Sequence, residues 1–236
     1  MIQCGALQKP SQAIVAGGME SMSNIPHYLK KVRQGFPLGN SEIIDGVIHD
    51  GLWDIYNDQH MGMCAEKCAT DYDIGREEQD EYAVMSYQRA KEAVEAGIFK
   101  EEIESVDVAS GRGKSTTISV DEEPTTASIS KFARLRPAFK KDNGTVTAAN
   151  ASSLNDGAAA MVLMTEDAAS ELGLMPLARI LGFGDAEQDP VDFTTAPSLA
   201  VPRALNASGV QLSDIDFHEI NEAFSVVVCS VNFNRF

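Results

Sequence analysis

The chain has 236 residues, 44% hydrophobic and 23% charged, which suits a globular chain of one large domain or two smaller ones. Its formal charge of −16 argues against a nucleic-acid surface, which needs a basic face, and against docking on anionic lipid. No run of residues is long and apolar enough to span a bilayer.

Four cysteines (Cys4, Cys64, Cys68 and Cys229) show no regular framework and read as free thiols in a reducing compartment. Met1–Gly5 has neither the charged start of a secretory leader nor the Arg-rich character of a transit peptide. Ala13–Ala16 predicts a buried strand, and Gly17-Gly18 a sharp turn at its end. Residues 30–57 carry no sustained period and read as loop and short helix, with Trp53 as a packing anchor. His60–Ala69 reads as a helix entry. His60, Cys64 and Cys68 share one helical face there, but with no fourth ligand nearby, core-facing cysteines are favoured over a metal site.

The firmest helix is predicted over 76–96, with acids crowding its first turn and Gly97 as its left-handed stop. Val106–Val108 alternates as a strand, and Ser110–Ser115 is a polar loop. Its Gly-x-Gly lacks the following helix of a phosphate or dinucleotide cradle. Asp121–Pro124 reads as a solvated acidic loop.

Gly144–Gly157 is almost entirely small residues, closed by the turn signal Asn155-Asp156-Gly157 and followed by the strand-like Ala158–Met164. Small side chains let backbone come close to another element or to a ligand, and tight packing is the simpler reading. Beyond it lie a capped helix over 166–172, a strand over Leu177–Phe183 and a helix over Pro197–Ser208 that tolerates Pro202 only in its first turn. A strand over Ile215–Ile220 and a helix opened by Asn221 follow. By spacing, Asn221 is a helix cap, or else an amide at a strand end where α/β folds put ligands. The alternation is that of an α/β layered fold.

Val15–Asn24 (VAGGMESMSN), His60-Met61-Gly62, Gly144–Ser152 (GTVTAANAS) and Asn221-Glu222-Ala223-Phe224 stand in this order. Together they resemble the signatures of the thiolase family, in particular its acetyl-CoA acetyltransferases. Ala148-Ala149 is similar to the potassium-activated mitochondrial type. The resemblance runs from about residue 13 to 228. It implies an α/β fold of two thiolase-like layered halves with a loop domain inserted in the first. Residues 1–26 would end the N-terminal half, 27–143 would form the loop domain, and 144–236 would start the C-terminal half.

The implied reaction is reversible Claisen condensation of two acetyl-CoA into acetoacetyl-CoA and CoA. By the resemblance, Asn221 would hold an oxyanion-hole water and Ser152 would bond the pantetheine arm. Leu52, His60, Met61, Phe139, Ala148, Phe193 and Phe224 would line the CoA tunnel. Tyr87, Ala148, Ala149 and Ala151 would bind potassium, mostly through carbonyls. CoA enters as substrate, and neither NAD nor zinc is implied. Family members are homo-oligomers, and the resemblance points to mitochondria, with the cytoplasm as the alternative. In the family, the nucleophilic cysteine precedes the Val15–Gly18 block, and the Gly-His-Pro histidine and acid/base cysteine follow Asn221-Glu222-Ala223-Phe224. No residue here matches any of the three. The expectation is a fragment truncated at both ends and inactive alone. The alternative is a non-catalytic protein that binds CoA or pairs with a full-length subunit.

Overall fold

The computed structural model describes residues 13–109 and 113–233. Cys4 and the Ser110–Arg112 part of the polar loop lie outside the described residues. The chain divides into two compact units. One comprises Met1–Asp58, Ser153–Asp185 and Ala200–Ile215, the other Gln59–Ser152, Ala186–Leu199 and Asp216–Phe236.

The first unit is built on a two-stranded antiparallel ribbon. Strand β1 (Ala13–Ser21) pairs with Asp156–Met164, from Ala13 opposite Met164 to Ser21 opposite Asp156. Two sequence expectations are corrected here. The strand does not turn at Gly17-Gly18 but runs through both. A Cβ on Gly17 would lie 2.4 Å from the Ala159 carbonyl oxygen, so the glycine serves close approach between strands, not a bend. Nor is β1 buried: Val15 is 68% exposed. Asp156 opens the partner strand instead of sitting in a turn. Its carboxylate accepts from the Ser23 amide at 2.9 Å and the Ser23 hydroxyl at 2.5 Å.

His27–Leu29 pairs with Ile43–Asp45. Trp53 is 41% exposed and donates Nε1–H to Asp58 Oδ1 at 3.2 Å, so it is not the packing anchor its solitude suggested. The short helix Glu166–Glu171 forms as expected, with Thr165 Oγ1 accepting from the Ala168 amide and Gly173 at φ +65°. No strand forms over Leu177–Phe183. Local strand propensity is only a preference for a pleated surface, and a strand also needs a ladder partner. Gly182 presses instead against the helix Ala196–Ser208, where an added Cβ would lie 2.8 Å from the Ser208 nitrogen. Pro202 stands inside that helix, not in its first turn, and has no N–H to offer the carbonyl four residues back. Gly209, at φ +70°, ends it.

The second unit packs α1 (Met61–Asp71) and α2 (Arg76–Glu95) with the helix Ser225–Phe233. Their core contains Ala65, Cys68, Ala69, Ile74, Val146, Phe224, Val226, Val227 and Cys229. Helix α2 has Glu77 and Glu78 in its first turn, where the macrodipole favours acids, and Gly97 at φ +70° beyond its end, as predicted. Val106–Ala109 pairs with Ser115–Ile118. Glu123–Thr126 is a helical turn where a solvated loop was expected. Ile215–Ile220 is not a strand, and the last helix begins at Ser225. Asn221 therefore caps nothing. Among the described residues, no helix is long and apolar enough to cross a membrane.

Candidate functional site

His60 stands just ahead of α1, and its Nδ1 accepts the Gly62 amide at 3.0 Å. A ring nitrogen that accepts carries no proton, so the neutral ring holds its hydrogen on Nε2 as a donor. The ring stacks on Phe139 with centroids 4.6 Å apart and planes 28° apart. Phe139 meets Phe224 edge-on, at 6.4 Å and 80°. Gly62 is glycine because a Cβ there would lie 2.3 Å from the Phe139 ring. Met61, Phe139, Ala151 and Phe193 pack around the core to which Phe224 belongs. The turn carrying Phe193 is tied to α1 by Lys67, whose Nζ donates to Asp71 at 2.5 Å and to Asp192 at 2.6 Å.

Burial holds the His60 pKa below its ordinary 6.5. The unfolded chain therefore takes up a proton first as pH falls, so the His60 contribution to stability is complete above 6.5. It declines as pH drops through that value towards the lower folded one. His60→Asn should remove this component while keeping a side-chain oxygen for the helix cap. The check is the pH dependence of the urea midpoint in both proteins, with an NMR titration of the ring. A His60 pKa above 6.5 would overturn it.

The small-residue segment is irregular but firmly held. Glu66 of α1 is 3% exposed. Its carboxylate accepts from the Thr145 amide at 2.9 and 3.0 Å, the Thr145 hydroxyl at 2.9 Å and the Val146 amide at 2.9 Å. Asn150, 2% exposed, takes the Thr147 amide on Oδ1 at 2.7 Å and donates Nδ2 to the Thr145 carbonyl at 3.0 Å and Asp80 at 2.9 Å. Asp80 is in turn paired with Arg76 at 2.7 Å. Arg76 also donates to the Phe132 and Leu135 carbonyls. Buried polar groups are thereby satisfied in a chain reaching from α2 to the segment.

Two backbone bonds then join the segment to residues 221–225. The Ser152 amide donates to the Ala223 carbonyl at 2.9 Å, and the Ser225 amide to the Asn150 carbonyl at 2.8 Å, with Ala151 facing Phe224. Ala149 lies in a second apolar cluster with Ala83 and Phe132, against which Tyr87 packs. The Tyr87 hydroxyl donates to Glu123 at 2.7 Å, and burial followed by that bond pushes its pKa up to about 12. Among the described residues, the carbonyls of Ala148, Ala149 and Ala151 accept no hydrogen bond. Carbonyls together with a phenol oxygen are donors that fit a hard monovalent or divalent cation.

Of the residues singled out in the sequence, His60, Met61, Phe139, Ala151, Phe193 and Phe224 thus share one neighbourhood of the second unit. Ser152 joins them through its backbone, and Tyr87 and Ala149 through the adjoining cluster. Ala148 is exposed on the same turn, and Asn221 is exposed ahead of Phe224. Leu52 belongs to the first unit and is half-buried there. Sequence reasoning missed Glu66, Asp80, Asn150 and Glu222, which hold these residues in place. Glu66 had one signal: it lies four residues after Gly62 and three before Ala69, on the buried face of α1.

The three described cysteines are buried. Burial raises the pKa of Cys68, and that of Cys229 to about 11. A nucleophilic cysteine needs the opposite shift.

A family model for the N-terminal domain of thiolases matches residues 1–167, and one for the thiolase C-terminal domain matches 174–234. A mitochondrial acetyl-CoA acetyltransferase from Xenopus tropicalis is 52% identical over 217 residues, covering 92% of this chain and 51% of that protein. A cytosolic acetyl-CoA acetyltransferase from Gibberella zeae is 50% identical over 218 residues, covering 92% and 54% respectively. The solved acetyl-CoA acetyltransferase of Syntrophomonas wolfei superposes with a TM-score of 0.86 at 42% identity, over 94% of this chain and 55% of that one. The chain spans about half the length of the curated relatives it matches.

Proposed function

The chain belongs to the thiolase family and has a thiolase-like α/β fold, and from that premise we propose that it holds acyl-CoA for the acetyl-CoA acetyltransferase reaction. That reaction condenses two acetyl-CoA into acetoacetyl-CoA and CoA, reversibly. The single observation that carries the reading is the convergence of His60, Met61, Phe139, Phe193 and Phe224 on one wall, with Ser152 and Asn221 at the ends of the segments it joins.

In this reading the apolar wall takes the pantetheine arm. The Ser152 hydroxyl and the Nε2–H of His60 supply donors or acceptors for its amides. The Asn221 amide donates to a water that in turn donates to the thioester oxygen, where charge develops as the enolate forms. Tyr87, Ala148, Ala149 and Ala151 would hold potassium, which when bound supplies a fixed positive charge to this backbone. The Tyr87 hydroxyl donates its proton to Glu123, so its oxygen keeps lone pairs for a cation. The layered halves with an insertion over 27–143, the homo-oligomer and a mitochondrial or cytosolic site complete the proposal.

Cys64, Cys68 and Cys229, the described cysteines, are buried, and burial raises the pKa of Cys68 and Cys229, which favours a narrower statement about the chain itself: it binds CoA without turning over. Calorimetric titration of the purified chain with CoA, in potassium and in sodium buffer, tests the binding. A thiolysis assay with acetoacetyl-CoA tests the chemistry. Expected are saturable binding, tighter in potassium, and turnover at background. Failure to bind CoA would overturn the site. Sustained thiolysis would overturn the assignment of the cysteines.

A further inference from the structure

Glu222 follows Asn221 and has both carboxylate oxygens occupied. The Tyr82 hydroxyl donates to Oε1 at 2.6 Å, and the Ser86 hydroxyl to Oε2 at 2.6 Å. Tyr82 and Ser86 are four residues apart on α2, hence one above the other on the same helical face. The pair forms a two-pronged socket on a rigid element. Burial and the Glu222 contact raise the Tyr82 pKa, so that prong stays a protonated donor at any ordinary pH.

The residues around Glu222 show why the socket matters. Residues 216–220 have no regular structure, so nothing upstream fixes the path into Asn221 through a helix or ladder. Downstream, Ala223 and Phe224 are held by the Ser152 amide and the Ala151 bridge. Asn221 itself is exposed, and its side-chain amide bonds to no other described residue. An amide left open beside a doubly anchored carboxylate is the pattern of a group presented to something else.

We propose that Glu222 is a positioning residue: by gripping Tyr82 and Ser86 it fixes the backbone from which Asn221 presents its amide to the acyl group. The inference rests on the acyl-CoA reading above for what Asn221 addresses, but the grip on Asn221 is independent of it. Glu222 is exposed and lies outside the apolar core, so removing it loosens the 221 segment without unfolding the unit.

The test follows the Asn221 side-chain amide by NMR in the full chain, alone and with acetyl-CoA or CoA added. In the native protein the two amide protons should be sharp and separated, and should shift more with acetyl-CoA than with CoA. Glu222→Ala should collapse them to averaged, disordered values, while the urea midpoint stays at that of the native chain. The double substitution Tyr82→Phe with Ser86→Ala should reproduce the collapse with Glu222 intact. Glu222→Gln, which keeps one acceptor and can donate to the Ser86 oxygen, should restore most of the order.

Unchanged Asn221 signals in Glu222→Ala overturn the proposal. So does a collapse that the Tyr82/Ser86 double fails to reproduce, or one accompanied by a lowered urea midpoint, which marks a merely structural role. If the native amide ignores acetyl-CoA, the acyl-CoA reading fails, yet the ligand-free comparison still decides the role of Glu222.

Discussion

Phe224→Ala is expected to lower the stability of the chain by about 3–5 kcal/mol and to weaken CoA binding at least tenfold. The ring is 7% exposed in the core formed by α1, α2 and the last helix, and truncating it opens a cavity that a fixed backbone closes only in part. The edge-on contact with Phe139 adds about 0.5–1.5 kcal/mol that is lost with it. The consequence for binding travels along the same side chains. Phe139 loses the support behind it, and His60 is stacked on Phe139. The bonds from Ser152 to Ala223 and from Ser225 to Asn150 are between backbone groups, so they remain available in the variant. Phe224→Leu separates the two effects. It keeps most of the volume and should cost less than about 1.5 kcal/mol, while still removing the aromatic pair. Urea unfolding and CoA titration of both variants are the measurements. A Phe224→Ala midpoint equal to the native one would mean that the ring is not part of the core.

The division between what could be read in the sequence and what could not follows the range of the interactions. Helix α2 was legible because its signals are local: acids in the first turn, a helical stripe and Gly97. The helix Glu166–Glu171, with Thr165 before it and Gly173 after it, was legible for the same reason. Leu177–Phe183 and Ile215–Ile220 read locally as strands, but pairing is decided by residues far away in sequence. Gly17-Gly18 looks like punctuation in the sequence, while a strand crossing too close for a Cβ is visible only once Ala159 is opposite. The resemblance named His60, Met61, Phe139, Phe193 and Phe224, and these five stand in one neighbourhood of the second unit. Their supports were not legible. Glu66, Asp80, Asn150 and Glu222 are polar residues whose meaning depends on which group each one faces, and those partners lie 70 to 140 residues away apart from the local turn of Asn150 and the Arg76–Asp80 pair. A buried carboxylate and a surface one have the same letter.

Asn150 is where that point has its largest expected effect. Asn150→Ala deletes one acceptor and two donors inside a site that is 2% exposed. The Thr147 amide, the Thr145 carbonyl and one Asp80 oxygen are left without their partner. An unsatisfied buried group costs about 1–3 kcal/mol, so the sum is about 3 kcal/mol or more, even if a water enters the space. The loss should also free the Ala148–Ser152 backbone and lower CoA affinity beyond detection in the same titration. Asn150→Asp sharpens the argument through its pH dependence. It keeps the Oδ1 acceptor for Thr147 but places a carboxylate against Asp80, where the two oxygens now stand 2.9 Å apart. Two like charges at that distance raise one pKa, and Arg76 offsets this only in part. The folded state then binds a proton that the unfolded state has released. Stability is therefore present below the ordinary carboxyl range and is lost as pH rises through the raised folded value. The Asn150→Asp variant should have a higher urea midpoint near the acid end of its folded range than at neutral pH, opposite in sign to the His60 component of the native chain. A midpoint that does not move with pH, or an Asn150→Ala protein as stable as the native one, would show that the Asp80–Asn150–Thr147 chain does not hold this segment.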